Sequence, residues 1–279
     1  MALWYSFCDI LPLEMLRWDF MKNAFLAFLI MAPLFGLCST MVVTGKMSFF
    51  SDALGHSAFT GIAIGSICGL AAPTWVAVVF AIVFALLFSY VRNRSNQHAD
   101  TIIGVFSSGA VALGIFIATF GGGSFTKYNK YLIGDILSVT PTEIGLLAIV
   151  LVGIVLFWIL FNNHLTLSTV YPNLASSRGI SIRWIQAIFT VAIAVIVTLS
   201  ISWVGLLILN SLLVLPGAAA RNVSKNLKQY HTISVLNALA AGIAGLCLSY
   251  TWGVSAGASI ALTLTVIYGI SFTLRKVRS

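Results

Sequence analysis

The sequence predicts an all-α, polytopic transmembrane helical bundle, and three observations lead there. Hydrophobic residues make up 59% of the chain and charged residues only 8%, against about 45–50% and about 25% in soluble domains. The mean hydropathy is +1.03. Several apolar runs also reach the roughly 18–20 residues a helix needs to cross hydrocarbon.

Residues 1–22 mix aromatic and apolar side chains with Asp9, Glu14, Arg17 and Asp19. They read as an N-terminal interfacial arm. With no basic n-region and with acids inside the apolar stretch, they do not form a standard signal peptide. The transmembrane domain then occupies 23–279. Its apolar runs fall at 23–44, 53–70, 73–91, 102–120, 142–161, 184–200, 203–220, 231–250 and 254–274, which is about nine spans. Connectors near 71–73, 201–203 and 251–253 are so short that the spans they join must be antiparallel neighbours.

Gly61, Gly65 and Gly69 recur every fourth residue in the second span, with Ser57 on the same face, and Gly104, Gly109 and Gly114 punctuate the fourth. Small residues let helices approach closely inside a bilayer, so both helices are expected in the bundle interior. Cys8, Cys38, Cys68 and Cys247 are widely spaced, form no C-x-x-C, and read as small hydrophobes.

The net charge of +8 is spread over short loops, which argues against nucleic acid as a partner. It fits the positive-inside bias of a protein in a lipid bilayer. The loops at 45–52, 92–101, 162–183 and 221–230 and the C-terminus hold eleven Lys and Arg, among them Lys46, Arg92, Arg94 and Arg183. The opposite side holds four: Arg17, Lys22, Lys127 and Lys130. The first group is therefore expected in the cytoplasm, with the N-terminus outside, in a multi-pass protein of a bacterial cytoplasmic (inner) membrane.

Against this background the ionisable residues are few. His164 and His231 stand at span ends and read as solvated interfacial histidines. Asp52 and His56 stand in Phe49-Phe50-Ser51-Asp52-Ala53-Leu54-Gly55-His56-Ser57, which leads into the glycine-striped span. Four residues apart on a helix, they share a face. A carboxylate and an imidazole so placed can hold one transition-metal ion, zinc, manganese or iron, rather than calcium or magnesium. They can equally make an i,i+4 hydrogen bond that merely locks the helix entry, or Asp52 can cap the helix. Asp100, in His98-Ala99-Asp100-Thr101, can cap the fourth span or line a cation's route. Asn210, in the middle of a span, can be interhelical glue or a pathway ligand. Pro216 is positioned to kink that helix.

No G-x-x-x-x-G-K-[ST] loop, H-E-x-x-H or G-x-S-x-G is present. The chain therefore lacks the signatures of a Walker ATPase, a zinc protease and a hydrolase, and no catalytic residue is expected. Energy for uphill transport must come from a partner or an ion gradient.

The run Gly45-Lys46-Met47-Ser48-Phe49-Phe50-Ser51-Asp52-Ala53-Leu54-Gly55-His56-Ser57 resembles a signature of zinc/manganese-type permeases, the membrane subunits of ATP-binding cassette importers. Asp100-Thr101-Ile102-Ile103-Gly104 through Ala112-Leu113-Gly114 is similar to their fourth-span pattern. Tyr131-Leu132-Ile133-Gly134-Asp135-Ile136-Leu137 is similar to their outer-loop motif. Val204-Gly205-Leu206-Leu207 through Leu215-Pro216-Gly217-Ala218-Ala219-Ala220-Arg221 resembles their penultimate signature. The likeness runs from about residue 24 to 270.

The resemblance implies a homodimer related to cobalamin- and siderophore-type importer permeases. It also implies two cytoplasmic ATP-binding subunits and an extracytoplasmic metal-binding protein. It places Asp52 and His56 at metal-contacting positions and Asp100 at a similarly placed acid, and makes Tyr171-Pro172-Asn173-Leu174-Ala175-Ser176-Ser177-Arg178-Gly179 the ATPase-coupling segment. Where many relatives carry alanine this chain has Gly217, and where they carry a hydroxyl or small residue it has Asn210. The expected function is ATP-driven import of a divalent metal, zinc favoured, with no permanently bound cofactor and the ion (Zn or Mn) as cargo. Two other readings stand beside it: an ion-gradient-driven cation transporter or channel using Asp52 and His56 as a proton relay, and a membrane scaffold without transport.

Overall fold

The computed structural model describes residues 2–10, 14–69, 73–119 and 136–278. Lys127, Lys130 and most of the 131–137 motif, Asp135 included, lie outside them. The described residues form helices α1 (Ala2–Ile10), α2 (Asp19–Thr44), α3 (Phe50–Ile67), α4 (Pro73–Arg94), α5 (Ala99–Thr119), α6 (Pro141–Val170), α7 (Pro172–Ser177), α8 (Ile182–Val223), α9 (Leu227–Trp252) and α10 (Ala256–Arg278), with 3-10 turns at Glu14–Arg17 and Ile136–Ser138. Among them, eight segments are long and apolar enough to cross a membrane. The ninth expected span, α3, is not one of the eight: its 18 residues include Asp52 and His56. The chain is a multi-pass, all-α membrane protein.

Two compact units divide it: Met1–Thr40 with Asp135–Trp158 and Ser211–Ser279, and Met41–Gly134 with Ile159–Asn210.

In the first unit, α2 and α9 run antiparallel in strict register. Phe28 lies against Gly242, Ser234 Oγ donates to the Gly36 carbonyl at 2.7 Å, and Tyr230 Oη donates to the Thr40 carbonyl at 3.1 Å. Each serine or tyrosine hydroxyl so used satisfies itself on backbone where no water is available. Gly245 against Ile260 sets α9 beside α10. The N-terminal arm is helical and docked. Trp4 Nε1 donates to the Lys22 carbonyl at 3.0 Å, Tyr5 Oη to Asn23 Oδ1 at 2.7 Å, and Lys22 Nζ pairs with Asp9 at 2.7 Å. Lys22 is buried, so this pairing compensates a charge removed from water. Near Pro216, which supplies no N–H, the Gly217 N–H donates sideways to Ser39 Oγ at 2.8 Å.

His231 differs from its expected solvated place. Its Nδ1 lies 2.9 Å from Thr40 Oγ1, its ring stands edge-on to Trp158 at 5.5 Å, and Nε2 is buried without a hydrogen-bond partner. His164 is exposed, as expected. Of the cysteines, Cys8 and Cys38 are buried, but Cys68 is exposed and Cys247 half-buried; all four are free.

In the second unit, α3 is the central helix. Phe50 stacks on Phe88 at 4.5 Å, Gly61 faces Ala77 and Gly65 faces Pro73, so α3 and α4 are antiparallel over their whole length. Thr60 Oγ1 donates to the Ala110 carbonyl at 2.7 Å and ties α3 to α5. A Cβ on Gly61 would collide with the Ala77 Cα, which is backbone and cannot rotate away.

Only part of the glycine expectation holds. Gly61, Gly65 and Gly114 mediate helix contacts, but Gly104 and Gly109 face open space, and Gly69 lies beyond the helix with φ +67°. We expect Gly61→Ala to destabilise the protein by about 1–3 kcal/mol through overpacking, while Gly104→Ala is neutral or better. Thermal unfolding of the two purified variants checks this, and equal melting temperatures would refute it.

Arg92 Nη2 donates to the Gly45 carbonyl at 3.1 Å, so the loop before α3 and the end of α4 share one side of the unit. That is the arrangement the charge count requires.

The two spans expected on either side of 201–203 are present as Ile182–Ile201 and Trp203–Val223, the two parts of α8, and the backbone leaves helical geometry at Gly205, with φ 78° and ψ 162°. This region of backbone space is essentially closed to residues with a Cβ.

Candidate metal site

Helix α3 begins at Phe50, three residues before the expected start, with Phe49 as N-cap and no side-chain cap. Asp52 is thus inside the first turn rather than capping it, which overturns the capping role. Starting earlier also carries Asp52 and His56 onto one helical face one turn apart.

Asp52 Oδ2 and His56 Nε2 are 3.6 Å apart. That is too long for a hydrogen bond. It is close to the separation of two ligands on one tetrahedral ion, about 3.4 Å for bonds of about 2.1 Å. Their side chains are 43% and 28% exposed, so both reach solvent-accessible space while rooted in a buried helix.

The other carboxylate oxygen is held from a distant part of the chain. Asn210 Nδ2 donates to Asp52 Oδ1 at 3.1 Å, across 158 residues of sequence. This bond occupies Oδ1 and leaves Oδ2 for the imidazole side. Asn210 Oδ1 is buried without a hydrogen-bond partner. Asn210 is delivered there by the break at Gly205, after which Leu206 packs against Gly55, the residue beside His56. A Cβ on Gly55 would overlap the Leu206 side chain, so the bare glycine is what lets the two helices meet at this level.

Sequence reasoning found Asp52, His56 and Asn210 but not the roles of Gly55, Gly205 and Leu206. Gly55 and Gly205 showed only as glycines in apolar runs, and Leu206 as one leucine among several. Asp100 does not join the site. It is exposed in the first turn of α5, and among the described residues no group of three His, Cys, Asp or Glu comes together. Helix starts at Ala99, so Asp100 is not its N-cap either.

The 171–179 segment forms the short helix α7 between Tyr171 and the left-handed Gly179. Pro172 at its first position has no N–H to waste there. Tyr171 and Leu174 are exposed and Ala175 is buried, so the segment presents an apolar and aromatic face outward.

A family model, the ABC 3 transport family, matches residues 17–275. The chain belongs to this family. An uncharacterised membrane protein of Synechocystis is 32% identical over 94% of this chain and 93% of its own length. The manganese transport system membrane protein MntC of Halalkalibacterium halodurans is 26% identical over 93% of this chain and 88% of its own. The high-affinity zinc uptake system membrane protein ZnuB of Haemophilus influenzae is 28% identical over 89% and 93%. Among solved structures, PsaBC from Streptococcus pneumoniae in complex with Fab superposes with a TM-score of 0.80 at 26% identity, covering 98% of this chain and 95% of that one.

Proposed function

We propose that this family member is the permease subunit of an ATP-driven importer of divalent transition-metal ions, working by alternating access. The observation that carries the reading is the Asp52–His56 pair, spaced at 3.6 Å on one face of α3 with Asp52 steered by Asn210. The names of the relatives, manganese transport in one and zinc uptake in another, support the same class of cargo. Zinc is favoured on overall likeness to zinc/manganese-type permeases; a carboxylate with an imidazole takes zinc, manganese or ferrous iron.

Two protein ligands make a transient site. A closed four-ligand cage is the arrangement of structural zinc, whereas a cargo ion must leave. In a homodimer two such pairs can serve one ion if both face the axis, and water completes the shell otherwise. Metal reaches the site from an extracytoplasmic binding protein. Two cytoplasmic ATP-binding subunits, engaging 171–179, supply the energy.

The deciding experiment reconstitutes the chain in vesicles with its ATP-binding subunits and binding protein, and follows uptake of radioactive zinc and manganese. Uptake should require ATP and persist when ionophores collapse all ion gradients. Uptake that needs a proton gradient but no ATP would overturn the reading in favour of a proton relay at the same pair.

A further inference from the structure

The second unit holds a cavity of about 470 Å³ between the last turns of α4 and the first turns of α8. Arg94, Tyr90 and Leu86 line it from α4, and Arg183, Trp184 and Ala187 from α8. We propose that it is a binding site for an anionic glycerophospholipid, with the lipid phosphate held between Arg94 and Arg183.

The lining is graded. Leu86, Tyr90 and Arg94 are one turn apart on one face of α4, which places Leu86 about 12 Å from Arg94 along the helix axis. The headgroup layer of a bilayer is about 5–8 Å deep on each side. With Arg94 at phosphate depth, Leu86 is in hydrocarbon, and Tyr90 lies between them. Tyr90 is 55% and Trp184 70% exposed, the position aromatic belts take at the headgroup level. A lipid meets this sequence of surfaces in the same order: acyl chain, glycerol, phosphate.

The charge selects an anion. No Asp or Glu lines the cavity, and among the described residues neither arginine makes an ion pair. The Arg94 guanidinium lies over the Tyr90 ring at 4.8 Å from its centroid. A guanidinium held against a ring by its charge still has N–H groups to offer for bidentate contact with phosphate. A zwitterionic headgroup brings an ammonium group that two cations repel and no acid receives. The cavity also sits at the end of α4 where Arg92 meets the Gly45 loop, the side on which the charge count concentrates Lys and Arg. Basic pockets between helices on that side are the usual docking places of anionic lipid headgroups.

The test uses the purified full-length protein and native mass spectrometry, with phosphatidylglycerol and phosphatidylcholine of identical acyl chains supplied in equal amounts. Wild type should retain phosphatidylglycerol in preference. Arg94→Gln with Arg183→Gln should reduce that preference roughly tenfold or more, while Lys225→Gln with Lys228→Gln, a cytoplasmic-loop control outside the cavity, should leave it intact. A normal melting temperature for each variant shows that it is folded.

Equal retention of the two lipids by wild type would overturn the proposal. So would equal loss in the control pair, which would mean diffuse surface charge. Displacement of the lipid by millimolar inorganic phosphate would make the ligand free phosphate instead. Unchanged lipid retention combined with failure of the Arg94/Arg183 variant to co-purify with the ATP-binding subunit would make the surface a protein interface.

Discussion

Asp52→Asn and His56→Ala should each reduce metal uptake by roughly 10–100-fold or more, since removing even a residue that only supports a metal ligand costs that much. Asparagine keeps the volume of Asp52 and can still accept the N–H of Asn210, so the first substitution removes the charge and little else. The pair is partly exposed, and losing such a contact costs about 1 kcal/mol or less in stability. Transport should therefore collapse while melting temperature and membrane assembly stay near those of wild type. Asn210→Ala, which frees Asp52 Oδ1 to rotate, should produce a smaller loss in the same assay. Uptake of radioactive zinc in vesicles distinguishes the outcomes. Wild-type uptake in both ligand variants would remove the metal site, and a loss of folding matching the loss of uptake would make the pair structural.

Much of this site was legible because local rules produce it. The i,i+4 spacing of Asp52 and His56 places them on one face in any helix, and their cost in an apolar segment marks them out. The start of α3 was misplaced because Phe50, Ser51 and Asp52 carry a mixed hydropathy that does not announce a span. Asn210 stood out as a polar residue in an apolar run, but its partner is 158 residues away, and no local pattern specifies that contact. Likewise, periodic glycines look alike in sequence. Gly61 proves to face the backbone of α4 while Gly104 faces open space, a distinction that only the neighbouring helix decides. His231 was read as solvated because it lies near a span end; the docking of α9 on α2 buries its Nε2.

The architecture of the second unit gives these contacts a common logic. Helix α3 is too polar at its start to cross lipid as a bare surface, and it is covered by α4 and α5 along its small-residue faces. Its first turns carry Asp52 and His56 beside Gly55, where the missing side chain admits Leu206. The polar pair is thus walled on one side by an apolar contact and steadied by one amide, while part of each side chain stays open for an ion. On the proposed reading, affinity there is limited by the small number of protein ligands, which suits an ion that must move on.

Gly205→Ala should be the most damaging single substitution away from the ligands themselves. At φ 78° and ψ 162° a Cβ is strained by about 1–3 kcal/mol. The chain can relieve that strain by letting residue 205 become helical, and an unbroken α8 would then continue in a different direction. Leu206 would leave Gly55, and the Asn210 N–H would leave Asp52 Oδ1. Either response loses: the strained form is less stable, and the relaxed form has a misaligned site. The expected result is a lowered melting temperature together with a loss of uptake comparable to that of Asn210→Ala or worse. Gly253→Ala provides the comparison. Gly253 also has a positive φ, 64°, but it sits at the left-handed C-cap of α9, far in sequence from the ligands and with no neighbour within 4 Å. It should lower stability by about 1 kcal/mol and leave uptake per folded molecule unchanged. If Gly205→Ala also transports normally per folded molecule, the break in α8 does not position the site, and the Asn210 contact with Asp52 is incidental to transport.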